Sequence, residues 1–106
     1  VALHKLLYLQ EDAFAGCHLL SAADFPLVAA IPRYCFSNCV NLRLVGAKSV
    51  QEIMDFAFFQ CGSLEVCFSD RQYYSHQNAF YGCNGVQQRG YSGFSEYWDE
   101  LVQTLG

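Results

Sequence analysis

The chain has 106 residues, 53% of them apolar and 16% aromatic, which is ample for one domain with a continuous core. Its net charge of −4 comes without a basic stripe, so a phosphate-tracking nucleic-acid binder is excluded. No apolar run reaches the ~18–20 residues that a membrane span requires, so no membrane insertion is expected.

The first unit ends in Ala13-Phe14-Ala15-Gly16-Cys17, and the phrase returns at residues 35–39, 57–61 and 79–83, displaced by 22 residues each time. A repeat of this length cannot close its own core and must bury its apolar face against the next copy, which predicts a solenoid. The units run over residues 1–17, 18–39, 40–61 and 62–83, with 84–106 as a C-terminal cap, all in a single domain. Leu20, Leu42, Leu64 and Val86 share one phase, as do Ala23, Val45 and Cys67, then Val28 with Val50, and Ile31 with Ile53. Small residues, Ala13, Cys35, Ala57 and Ala79, precede the aromatic column Phe14, Phe36, Phe58 and Phe80. A Phe recurring once per coil can lie against its copies above and below in offset contact. Each buried ring contributes roughly 1.5–3 kcal/mol. The Cys column, Cys17, Cys39, Cys61 and Cys83, suits a tight inner bend, because Cys behaves as a small hydrophobe with a weakly hydrogen-bonding sulfur.

The opening unit is apolar where a capping repeat would be polar, with Leu3, Leu6, Leu7, Tyr8 and Leu9 crowded together. The chain starts at Val1 without a basic-then-apolar leader pattern. We therefore expect it to be a fragment of a longer array. In the third coil, Gln72 and Ser75 stand where Val and Ile are expected, within the polar and aromatic stretch 70–78. Two readings stay open there: Tyr73 or Tyr74 moves into the core in place of the lost aliphatics, or the pair is presented to a partner, Tyr and Arg being enriched at binding hot spots. After Val86 the columns fail. Tyr97, Trp98, Leu101 and Leu105 then follow helical spacing, with Ser95 placed to cap, which predicts a C-terminal capping helix or a partner-binding helix.

The run Leu42-x-x-Val45, Val50-x-x-Ile53 and Ala57-Phe58-x-x-Cys61-x-x-Leu64 resembles the leucine-rich repeats of the BspA-like type, found in surface antigens of bacteria and some parasitic protists. The resemblance implies an α/β repeat solenoid, a right-handed superhelix with short parallel strands near residues 20–25, 42–47, 64–69 and 86–90. It also implies helical turns carrying the Phe on the opposite face.

If those strands form, alternation aims Ala22 and Asp24, Leu44 and Gly46, Val66 and Phe68, and Gln88 and Gly90 away from the core. Leu44, Val66 and Phe68 would then form an apolar centre with Asp24 and Gln88 at its rim, the usual organisation of an interface. Together with Tyr73 and Tyr74 these are the expected partner-binding residues. The other reading of the strand residues is that they are isolated exposed hydrophobics.

Six Cys and three His invite enzymatic readings. A stacked Cys column forms a row at ~4.8 Å steps rather than a tetrahedron around zinc, so no metal is expected, and no other cofactor. Cys17 or Cys67 with His18 or His76 would make a nucleophile and base only on paper, since no spacing constrains the pair. No catalytic residues are expected. Side chains stacked in register point in parallel, so the thiols should be mostly free. The sequence thus reads as a non-enzymatic module for protein–protein interaction, which the resemblance sets in a cell-surface or adhesive protein meeting a host or matrix component. The alternatives are an intracellular scaffold or adaptor in the cytoplasm, and a spacer with no binding role of its own.

Overall fold

The computed structural model describes residues 3–69 and 73–90, with the side chains of the strand segments 66–69 and 87–90 left aside. Among the described residues, seven short strands alternate between two parallel sheets. Strands β1 (Ala22–Asp24), β3 (Leu44–Gly46), β5 (Val66–Ser69) and β7 (Gln87–Gly90) form a four-stranded sheet in that order. Strands β2 (Ala30–Ile31), β4 (Glu52–Ile53) and β6 (Tyr74–Ser75) form a second, three-stranded one. Each coil therefore runs from a strand of the first sheet, through a tight turn, to a strand of the second and back through a longer turn.

The 22-residue period sets the register, with Ala23 pairing Val45 and Val45 pairing Cys67. Every other side chain of these strands points to the shared interior. Ala23, Val45, Leu42, Val28, Val50, Ile31 and Ile53 all lie in one buried cluster. Through it runs the aromatic ladder. Phe14 stacks on Phe36 at 5.2 Å, Phe36 on Phe58 at 5.3 Å and Phe58 on Phe80 at 5.2 Å, each pair within 4° of parallel. Phe25 adds a further ring against Phe36 at 5.6 Å.

The segment carrying each Phe is not a helical turn, and no helix occurs among the described residues. In the first coil Ala13 donates to Gln10, Ala15 to Asp12 and Cys17 to Phe14, three consecutive i to i+3 turns. Asp12, Tyr34 and Phe56 hold φ near +60° in the first of these turns. Gly16, Asn38, Gln60 and Gly82 hold φ between +59° and +83° in the last. A left-handed residue at the third turn position is the mark of a type II turn and breaks an α-helix. The intervening amides are not lost. Phe14, Phe36 and Phe58 donate to the carbonyls of Cys35, Ala57 and Ala79, and Gly16, Asn38 and Gln60 to those of Ser37, Phe59 and Tyr81, so the turns are hydrogen-bonded coil to coil like a third ladder.

Two further expectations change. Leu64 and Val86 keep the 22-residue spacing, but Val66 pairs with Gln87, so the last strand enters one residue early. Gly85, at φ +77°, lies in the shortened turn before it. Gln88 is consequently in register with Cys67, in the column of Ala23 and Val45, while Gln87 and Arg89 are in register with Val66 and Phe68. In the third coil, Tyr73 packs against the core cluster where the aliphatics are missing. The expected capping helix over residues 95–105 lies outside the described residues.

Candidate functional site

The residues expected to bind a partner are not all at the surface. Leu44 is 1% exposed although it lies outside the core cluster, and Ala22 and Gly46 are buried beside it. Alternation fixes which face of a strand a side chain takes, not whether solvent reaches that face. The apolar centre expected at Leu44 is therefore not an accessible one. Asp24 is partly buried and accepts from His4 at 3.3 Å. Val66, Phe68 and Gln88 lie on strands whose side chains are outside the described set. Tyr73 is half-buried on the core, while Tyr74 is 63% exposed with its ring edge-on to His76, centroids 5.0 Å apart. His76 in turn meets Glu52 at 2.6 Å.

A second aromatic group lies on the turn face and was not anticipated. Tyr34 stacks on Phe56 at 5.5 Å and Phe59 on Tyr81 at 5.7 Å. The two stacks meet edge to face, Phe56 against Phe59 at 5.7 Å. Tyr34, Phe56 and Phe59 are half-buried and Tyr81 is 56% exposed, and the Arg33 guanidinium sits 5.8 Å from the Tyr34 ring. The signal was in the sequence, since both stacks join residues 22 apart. It is weak because these columns are not aromatic in every coil, Asp12 preceding Tyr34 and Ser37 preceding Phe59 at the same phases.

The thiols do structural work. Cys39, Cys61 and Cys83 donate to the carbonyl oxygens of Phe14, Phe36 and Phe58 at 3.0, 2.9 and 3.1 Å, each 25 residues back. Cys17, Cys35, Cys39, Cys61 and Cys83 are all free thiols. Burial, with the neighbouring Cys39 and Asp12, pushes Cys35 up to about 12. A hydrogen bond to Cys39 and burial push Cys61 up as well, and burial takes Cys83 to about 11. Thiols held protonated in this way are poor nucleophiles. Among the described residues no group of three or more His, Cys, Asp or Glu could hold a metal ion, and no buried polar side-chain atom lacks a partner. An open hollow lined by Arg43, Gly62, Ser63, Glu65 and Asn84 offers no free cation, because Arg43 is already paired with Glu65 at 2.8 Å. Such an exposed pair contributes at most about 1 kcal/mol.

Stacked coils with parallel strands at a 22-residue register, an aromatic ladder and a Cys ladder define a leucine-rich-repeat protein. The chain belongs to the BspA-type leucine-rich repeat family, whose region model matches residues 4–93 in six copies. Repeats of this family are generally non-enzymatic. No curated protein and no solved structure matches the chain significantly. No helix among the described residues is long and apolar enough to cross a membrane.

Proposed function

We propose that this chain is a non-enzymatic repeat module that binds another protein, and that its contact surface is the aromatic group on the turn face. The observation that carries this reading is the backbone of Tyr34 and Phe56. Both are bulky residues at φ near +60°, a conformation that costs roughly 1–2 kcal/mol, and the first coil fills the same place with Asp12, a residue type that tolerates it. One half-buried stacked pair returns about 0.5–1.5 kcal/mol, so stacking alone gives little reason for aromatics there. Strained residues of this kind cluster where a surface is put to use, and Tyr and Arg are the residue types that anchor interfaces. Tyr74 is a further exposed contact from the set read in the sequence.

Family likeness favours a cell-surface or adhesive setting for the module, with a host or matrix protein as its partner. The spacer reading draws support from the burial of Leu44, which closes the strand face at that point. Binding of the purified chain to a panel of extracellular-matrix proteins, measured alongside a Tyr34→Asn/Phe56→Asn variant, separates the two. The binding-module reading expects at least about a tenfold loss of affinity at near-unchanged stability. A variant that binds as tightly as its parent would move the contact elsewhere, and a panel without any binding would remove the adhesive setting.

A further inference from the structure

The chain has four Asn, and the chemistry open to each depends on the backbone amide that follows it. An Asn side chain carries an electrophile, its Cγ carbonyl, and the nitrogen of the next residue can reach it by closing a five-membered ring. Attack needs that nitrogen free of a hydrogen bond and unshielded by a side chain. Three of the four nitrogens are engaged. The Cys39 amide, after Asn38, donates to Phe36 at 3.2 Å, the Leu42 amide, after Asn41, to Cys39 at 3.1 Å, and the Ala79 amide, after Asn78, to His76 at 3.1 Å. Asn41 is also held by its side chain, whose amide donates to the His18 carbonyl at 2.6 Å.

Asn84 differs in each respect. The residue after it is Gly85, whose amide donates to no described acceptor, and no described atom lies within 4 Å of where a Cβ would stand there. The Asn84 side chain is exposed and reaches the Gly62 carbonyl only at 3.5 Å, beyond the usual span of an N–H···O bond. The cause lies in the length of the turn. Strands β1, β3 and β5 start five residues after Cys17, Cys39 and Cys61, whereas β7 starts four residues after Cys83. Leu20, Leu42 and Leu64 close the longer turns by donating to those three Cys carbonyls at 3.2, 3.1 and 3.2 Å, and among the described residues Val86 makes no such bond to Cys83.

We propose that Asn84–Gly85 is a self-modification site, at which the folded chain converts Asn84 to aspartate and isoaspartate with water as the only co-reactant. The Gly85 nitrogen gives its proton to hydroxide and bonds to Asn84 Cγ. The tetrahedral centre collapses by expelling the side-chain nitrogen, which takes a proton back from water and leaves as ammonia, so that hydroxide is regenerated and a succinimide remains. Water then opens the ring. Cleavage of the bond from nitrogen to Cγ gives aspartate, and cleavage of the bond from nitrogen to the main-chain carbonyl carbon gives isoaspartate, one water being consumed for one ammonia released. Either product puts a carboxylate on the hollow that Asn84 shares with Arg43 and Glu65. Isoaspartate also adds one main-chain atom to the turn that brings β7 in a residue early.

The folded chain, held in mildly alkaline buffer and sampled over time, is mapped by peptide mass spectrometry, where each conversion adds one dalton and the two products separate by retention time. Asn84 should convert at a rate within about threefold of that in the urea-unfolded chain, as befits a segment whose opening costs almost nothing, while Asn38, Asn41 and Asn78 stay intact. Asn84→Gln, which cannot close a five-membered ring, should stay unmodified in both states. Conversion of Asn84 more than about tenfold slower in the folded than in the unfolded chain would overturn the proposal, because the fold would then protect the site. So would conversion of Asn41 or Asn78 in the folded chain as fast as Asn84, since the free amide of Gly85 would not be what selects the site. Loss of ammonia from Asn84→Gln at the parent's rate would overturn it as well, by excluding the ring.

Discussion

The Cys61 thiol donates to the Phe36 carbonyl oxygen at 2.9 Å, and the same oxygen accepts the backbone amide of Cys39 at 3.2 Å. A carbonyl has two lone pairs, and in this stack one is used within the coil and the other between coils. A residue in this column must therefore be small, apolar and a donor, and Cys meets all three conditions. Cys61→Ala should cost about 1–3 kcal/mol in urea unfolding, through the lost bond and the small void. Cys17→Ala in the same column should cost less than about 1 kcal/mol, because no described residue accepts from the Cys17 thiol. Equal costs would mean that the thiols serve only as filler.

Gly82 carries φ +83°, and a Cβ there would lie 2.7 Å from the Gln60 side chain. Gly82→Ala should destabilise by about 1–2 kcal/mol through the backbone conformation alone, and by more if Gln60 cannot move aside. Adding Gln60→Ala should recover the steric part only. Complete recovery in the double variant, measured by the same unfolding curves, would show that the left-handed backbone carries no cost there.

Alkaline pH should weaken the fold. Cys35 holds its proton in the folded chain to about 12, against an ordinary value of 9.0. Between those values the unfolded chain binds fewer protons than the folded one, so stability falls as pH rises, by about 1.4 kcal/mol per pH unit for this group. Below pH 9 the contribution is whole; Cys61 and Cys83 shift in the same direction, while the hydrogen bond with Cys61 lowers Cys39 and offsets part of the effect. Melting temperature should therefore drop steadily from pH 9 to 11. Cys35→Ala, which supplies the residue found at Ala13, Ala57 and Ala79, should make that slope shallower. An unchanged slope would place the titration elsewhere.

The interior was legible because stacking repeats one chemical demand at one spacing. The Phe ladder, the Leu column and the strands β1, β3, β5 and β7 all fall within two residues of where the 22-residue period puts them. The second sheet was not foreseen, since strands as short as Ala30–Ile31 are too brief for alternation to register. The helical turn was implied by the resemblance alone, and the three-residue spacing of Phe14 with Cys17 suits a helix as well as an i to i+3 turn, so the spacing offered no correction. The corrective signal was Gly16, Asn38 and Gly82 at one phase, residue types at ease in the left-handed region, but Gln60, Tyr34 and Phe56 do not carry it. Solvent access to the strand face was the least legible. Burial of Leu44 depends on what lies over the strand, and the period of a repeat carries no record of that.

Phe58 is fully buried and stacked between Phe36 and Phe80, so replacing it interrogates the shared core directly. Urea unfolding of Phe58→Ala should show a loss of about 3–5 kcal/mol, the usual cost of truncating a buried aromatic, enough to melt a stack this short near room temperature. A variant that keeps its parent's unfolding midpoint and loses less than about 1 kcal/mol would mean that the coils are not held together through their aromatic ladder.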